Sequence, residues 1–64
     1  MLEPFQVRVY KEKEYLDGKI SKLNEFLSGE GTRNLCLEDL RLLSDQHYVM
    51  QEYSKVLARR ISRF

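Results

Sequence analysis

Apolar and polar positions recur along this chain at helical rather than strand spacing. From Leu37 to Phe64, steps of three and four pick out Leu40, Leu43, His47, Met50, Ser54, Leu57, Ile61 and Phe64. That is a heptad seam running to the last residue. A second stripe, Leu42, Val49, Tyr53 and Val56, lies one helical column away. Two adjoining stripes are wider than one partner helix covers. The segment reads as a helix about 42 Å long at 1.5 Å per residue, with one partner in its own chain and others in further copies. In the first half, Phe5, Val9, Leu16, Ile20, Leu23 and Leu27 share a face. Between Val9 and Leu16 the expected apolar position holds Glu12 or Lys13 instead. Pro4 suits a first helical turn, and Glu3 sits near the positive end of the helix dipole. Gly18 costs about 1 kcal/mol against alanine without interrupting the pattern.

Between the two helical patterns, Ser28-Gly29-Glu30-Gly31-Thr32-Arg33-Asn34 is loop-like, with two glycines suited to ending a helix and reversing the chain. Cys36 and Asp39 stand at capping-box spacing, and Leu35 and Leu40 at hydrophobic-staple spacing. The expected fold is therefore all-α. One domain comprises helix 4–28, loop 29–35 and helix 36–64, a two-helix antiparallel hairpin assembling into a helical-bundle homo-oligomer. Its helix–helix interface is expected to use Leu43, His47, Met50, Leu57, Ile61 and Phe64. Folding about Thr32 brings Leu27 to Leu37, Ile20 to Leu43, Val9 to Ser54 and Leu57, and Lys13 within about a turn of Ser54. The two breaks in the apolar seams then meet in one polar layer, which either sets register and oligomer state or holds a ligand or water.

Composition narrows the function classes. At 64 residues, one small core barely offsets chain entropy. A net charge of +1 lacks the basic excess of a general nucleic-acid or membrane binder. The single Cys36 cannot form an intrachain disulfide, which points to a reducing cytosol. No apolar run approaches a membrane span, and the N-terminus lacks the regions of a signal peptide.

No catalytic constellation emerges, so an enzyme is not expected, and neither is a metal or cofactor. His47 is the only histidine, and zinc needs several Cys or His at ligand spacing. Gly29 and Gly31 follow a helix rather than a strand, unlike a phosphate loop. Glu12, Glu14 and Asp17, interleaved with Lys11 and Lys13, read as a solvated face. The basic end is different. Residues 53–64 hold Lys55, Arg59, Arg60 and Arg63 and no acid, and the hairpin sets them beside Arg8, Tyr10 and Lys11. Candidate ligand-binding residues are Arg8, Tyr10, Lys13, Tyr53, Arg59 and Arg60. Arginine forks hold phosphates, and aromatic faces stack on bases. The alternative is that these cations only offset the negative end of the helix dipole.

Two segments carry a resemblance. They are Arg8-Val9…Glu12-Lys13…Leu16-Asp17…Lys19-Ile20…Lys22-Leu23…Phe26 and Leu42-Leu43…Gln46…Met50…Tyr53-Ser54…Leu57…Arg60-Ile61…Phe64. Together they resemble a group of small helical proteins of tailed bacteriophages and prophages, with relatives in crAss-like phages. The chain departs from that group at Gly18, at His47, in its glycine-containing loop and at Cys36. The resemblance implies a phage accessory protein in the cytoplasm of an infected bacterial cell. Two modes suit it: sequestration of an anionic nucleotide-type immune signal between subunits, or inhibition of a host or phage protein through the apolar face of helix two.

Overall fold

The computed structural model describes residues 1–64 and contains two long helices joined by a short turn. Helix α1 spans Pro4–Ser28 and α2 spans Leu37–Ile61, with a 3-10 turn over Glu30–Asn34 between them. The helices pack antiparallel as a rod with extents of 48 × 15 × 13 Å. The fold is an all-α hairpin.

The seam follows the heptad pattern. Leu40, Leu43, His47, Met50 and Ile61 are half-buried and Ser54 and Leu57 buried, facing Val9, Leu16, Ile20, Leu23 and Leu27 of α1. Val9, Leu16 and Leu57 form the core, with Ile20, Met50 and Ile61 packed around it. Leu43, His47, Met50, Leu57 and Ile61 thus face α1 within one chain, whereas Phe64 meets α1 outside the seam, at the end of the rod. His47 sits in this seam with its Nε2 buried and without a hydrogen-bond partner.

Both chain ends depart from the expected pattern. Helix α2 stops at Ile61 rather than continuing to Phe64. Past Ile61 the backbone tightens into i→i+3 turns: Arg63 N–H donates to Arg60 O at 3.1 Å and Phe64 N–H to Ile61 O at 3.0 Å. Phe64 then lies across the hairpin's end, edge-on to Phe5 and Tyr10, each at 6.0 Å between ring centres. Phe5 consequently leaves the seam and Gln6 takes the half-buried place. Gln6 also accepts from the Glu3 N–H at 2.8 Å, a reciprocal N-terminal contact.

The turn also corrects two expectations. Gly29 does cap the end of α1, in extended rather than left-handed backbone, its N–H donating to Phe26 O. At Gly31 the matter is space: a Cβ there would lie 2.6 Å from the partly exposed Phe26 ring, which would have to shift to admit it. Ser54 bonds to both Lys13 and Asp17, which centres the reversal nearer Asn34 than Thr32. Leu37 therefore stays exposed instead of meeting Leu27. Cys36 has the extended backbone of an N-cap, but its side chain caps nothing and is exposed. A thiol is a weak acceptor, so the capping box does not close.

Cys36→Ser keeps that backbone and supplies a better acceptor. The expected gain is about 0.5–1 kcal/mol, a rise in melting temperature of about 3–8 °C for a chain this short. A thermal melt by circular dichroism checks it. An unchanged midpoint would mean the first turn of α2 gains nothing from a side-chain cap.

Candidate functional site

The polar layer in the middle of the seam is the most organised polar feature of the molecule. Lys13 Nζ donates to Ser54 Oγ across the hairpin at 3.1 Å. It also donates to Asp17 Oδ2, one turn along α1, at 2.7 Å. Ser54 Oγ in turn donates to Asp17 Oδ1 at 2.5 Å. The three side chains form a closed ring of hydrogen bonds around a buried serine. The spacing predicts the meeting of Lys13 with Ser54, whereas Asp17 reads in the sequence as one of the solvated carboxylates. The available signal was the i,i+4 spacing of Lys13 and Asp17, which sets both on one helical column.

Asp17 is affected electrically as well. Its pKa lies below the ordinary 3.8, first through the Lys13 hydrogen bond, then the Ser54 bond, with desolvation opposing and the Lys13 charge assisting. A carboxylate with a depressed folded pKa contributes stability that is complete above its unfolded value. That contribution is lost as pH falls through the lower folded value. So the melting-temperature difference between the wild type and Asp17→Asn is expected to be constant from pH 7 to about 5. Below about pH 4 it should shrink. Asp17 is half-exposed, so solvent screening keeps the difference small. A difference that grows on acidification would reverse the assigned sign.

This layer opens to one side. Tyr10, Lys13, Glu14, Asp17, Ala58 and Ile61 line an open groove of about 500 Å³. Ala58 and Ile61 supply an apolar floor, Tyr10 an aromatic wall, and Lys13 and Asp17 fixed charges. Lys13 uses two of its three donor directions on the ring, leaving a third for another acceptor. A second open region lies on the outer face of α1 around Gly18, with Lys11, Glu14, Tyr15, Lys19 and Lys22. There the Lys19 ammonium lies 4.7 Å from the centre of the Tyr15 ring. Sequence reasoning passed over that patch because its lysines alternate with acids along the chain.

Of the six candidate residues, Tyr10 and Lys13 share the groove. Tyr53 and Arg60 do not. Each precedes a seam residue (Ser54 or Ile61) by one, so at about 100° per residue both turn to the edge away from Ala58. Arg8, one before Val9, turns to that same edge. Arg59 points outward from the last turn of α2. Arg8, Arg59, Arg60 and Arg63 are all exposed, and none is in an ion pair. The Phe64 contacts bring the start of α1 against the end of α2, so all four collect at one end of the rod. No three His, Cys, Asp or Glu side chains gather as a metal site. No helix is long and apolar enough to cross a membrane.

These features define a small all-α hairpin protein with a mainly apolar groove bearing Lys13 and Asp17 on one edge and an uncovered apolar stripe on the other. The chain matches the Sequestin family over residues 3–63 and belongs to it. That name is consistent with a sequestering, binding role. No curated protein and no solved structure matches the chain.

Proposed function

We propose that this member of the Sequestin family is a non-enzymatic phage protein that binds and withholds an anionic nucleotide-type immune signal in the infected bacterial cytoplasm. The observation that carries this reading is the set of four unpaired arginines at the rod end nearest Tyr10 and Lys13. Dipole compensation accounts for Arg59 and Arg60 in the last turn of α2. It does not account for Arg8, which lies in the first turns of α1 and collects with them. Phosphate answers that excess: guanidinium forks bind it in bidentate fashion, and an ammonium binds it as a point charge. Tyr10 offers a ring for a base, and Ala58 and Ile61 an apolar bed beneath it.

One hairpin holds a ligand on one side only. Tyr53, Arg60 and Arg8 lie around the other edge, so all six candidates act on one molecule only at a junction between hairpins. The ligand site is therefore read as intersubunit.

Native mass spectrometry of the protein purified from phage-infected or immune-signalling bacterial cells tests this. The expected result is extra mass of a few hundred daltons per site, released on denaturation and absorbing as a nucleobase. Protein that carries no small molecule from any such cell would overturn the reading. The uncovered stripe of α2, with Leu42 61% and Val49 62% exposed, supports a second mode. In that mode the chain inhibits a host or phage protein, and co-purification of a stoichiometric protein in place of a nucleotide would favour it.

A further inference from the structure

The hairpin is an incomplete globule by its dimensions. Only four of 64 residues are buried. Its radius of gyration is 14.7 Å, against about 10.7 Å for a compact chain of this length. Its accessible surface is 5242 Å², against about 4300 Å² for a compact monomer of this mass. The excess, about 900 Å², is close to the roughly 800 Å² that each partner contributes to a specific interface.

The uncovered stripe has the pattern of a second helix–helix seam. Leu42, Gln46, Val49, Tyr53, Val56 and Arg60 follow steps of four, three, four, three and four along α2. All six are exposed, because the first seam already occupies the face towards α1. Such a stripe accepts another helix of the same kind. The charges beside it decide which helix and in which direction. At about 100° per residue, the charged side chains within about 60° of the stripe are Glu38, Asp39 and Asp45 in the first half. In the second half it is Arg60, on the stripe itself, and Arg63 follows in the turn just past the end of α2. Along α2 itself, acids border one end and bases the other, with Glu52 about 80° from the stripe and just outside that window.

We propose that α2 pairs antiparallel with α2 of a second copy of this chain, about a two-fold axis near Gln51. Val49 then meets the partner's Tyr53, Gln46 meets the partner's Val56, and Leu42 meets the partner's Arg60. Arg60 itself falls between the partner's Glu38 and the partner's Asp45, four residues before and three after the partner's Leu42. Asp39 lies opposite the partner's Arg63. Antiparallel pairing sets opposite charges together at both ends, whereas a parallel pair sets like on like. The dimer is a four-helix arrangement with the two α1 helices outermost.

This goes beyond the ligand reading and amends one part of it. An arginine held by partner carboxylates is not free for a phosphate, so Arg60, Arg63 and Tyr53 pass to self-association, and Arg8 and Arg59 are the arginines left to the ligand reading. Tyr10, Lys13 and Arg59 remain off the stripe for a ligand.

Two measurements on the full chain test the pairing. Sedimentation at about 100 µM is expected to give twice 7.7 kDa. Val49→Asp, which faces away from α1, should weaken dimerisation at least tenfold with helicity retained. Separately, Leu42→Cys and Arg60→Cys chains, each also Cys36→Ser, are mixed under glutathione redox buffer. The mixed disulfide is expected to dominate over the two same-site products. Dominant same-site disulfides would overturn the antiparallel assignment, and a mass of 7.7 kDa with no crosslink would overturn self-pairing altogether. A dimer that carries no ligand would leave the pairing standing and remove the sequestration reading, so the two proposals fail separately.

Discussion

Leu57→Ala is expected to unfold most of the protein at 37 °C. Leu57 is the only side chain that is fully buried, at 1% exposure, and it joins Val9 and Leu16 in a three-residue core. Truncating a buried leucine costs about 2–5 kcal/mol, from lost transfer energy and the cavity left behind. A domain of this size is stable by only about 3–10 kcal/mol at the usual per-residue value. A two-helix core has no second layer to collapse into the space, so the upper half of the range applies. The check is a urea titration followed by circular dichroism, with Val56→Ala as the comparison. Val56 is two-fifths exposed on the uncovered stripe. Its truncation should cost the hairpin itself under about 1 kcal/mol. Equal losses at both positions would mean that the stripe, through a second chain, carries as much of the fold as the seam.

The second large effect concerns the polar layer, which has both a structural and a ligand reading. Lys13→Met together with Ser54→Ala replaces both cross-hairpin partners with apolar groups. Replacing a part-buried polar pair in this way is commonly neutral or stabilising, whereas removing one partner strands the other. Asp17 is half-exposed and returns to water when its donors go. The double variant is therefore expected to melt at or above the wild-type temperature. It loses the only ammonium in the groove and should retain the co-purifying nucleotide at least about tenfold less well, the scale of one charge-assisted hydrogen bond. Native mass spectrometry beside a thermal melt reads both outcomes. Retained ligand with a shifted oligomer mass would make the layer a register device only. The single variants order the roles: Ser54→Ala alone leaves Lys13 paired to Asp17, and Lys13→Met alone leaves Ser54 donating to Asp17.

Arg60 illustrates how one residue type supports two mechanisms. An exposed, unpaired arginine next to an apolar stripe needs an anion, and either a phosphate or a carboxylate supplies it. On one chain the two are indistinguishable. The polarity of the whole stripe, acids at one end and bases at the other, favours the carboxylate. Arg60→Glu separates them by its readout: lost dimerisation indicates the carboxylate, lost ligand with an intact dimer the phosphate. Arg59 turns outward, away from the stripe, and keeps the phosphate reading; Arg8 lies on α1 at the stripe's own edge, so both readings apply to it.

Much of this architecture was legible in the residues alone, because helical periodicity is local. Steps of three and four place side chains on a face irrespective of what the face meets. Hence the seam from Leu40 to Ile61, the bounds of α1, the short reversal and the meeting of Lys13 with Ser54 all follow from spacing. So does the existence of a second stripe too wide for one partner. Tertiary structure decided what periodicity cannot reach. Spacing leaves each helix free to slide by half a turn against the other, and only packing of the core settles that. The settled register brought Asp17 onto Ser54 and left Leu37 in solvent. The stretch after Ile61 escapes periodicity too, because its backbone takes i→i+3 turns in place of helical ones. Phe64 therefore left the seam and folded across Phe5 and Tyr10. Handedness was the last decision. Two residues flanking a seam, such as Tyr53 and Ala58, look alike in a linear sequence. Right-handed helices packed antiparallel put the residues after seam positions on one edge and those before them on the other, so Ala58 shares a groove with Tyr10 while Tyr53 turns to the opposite edge.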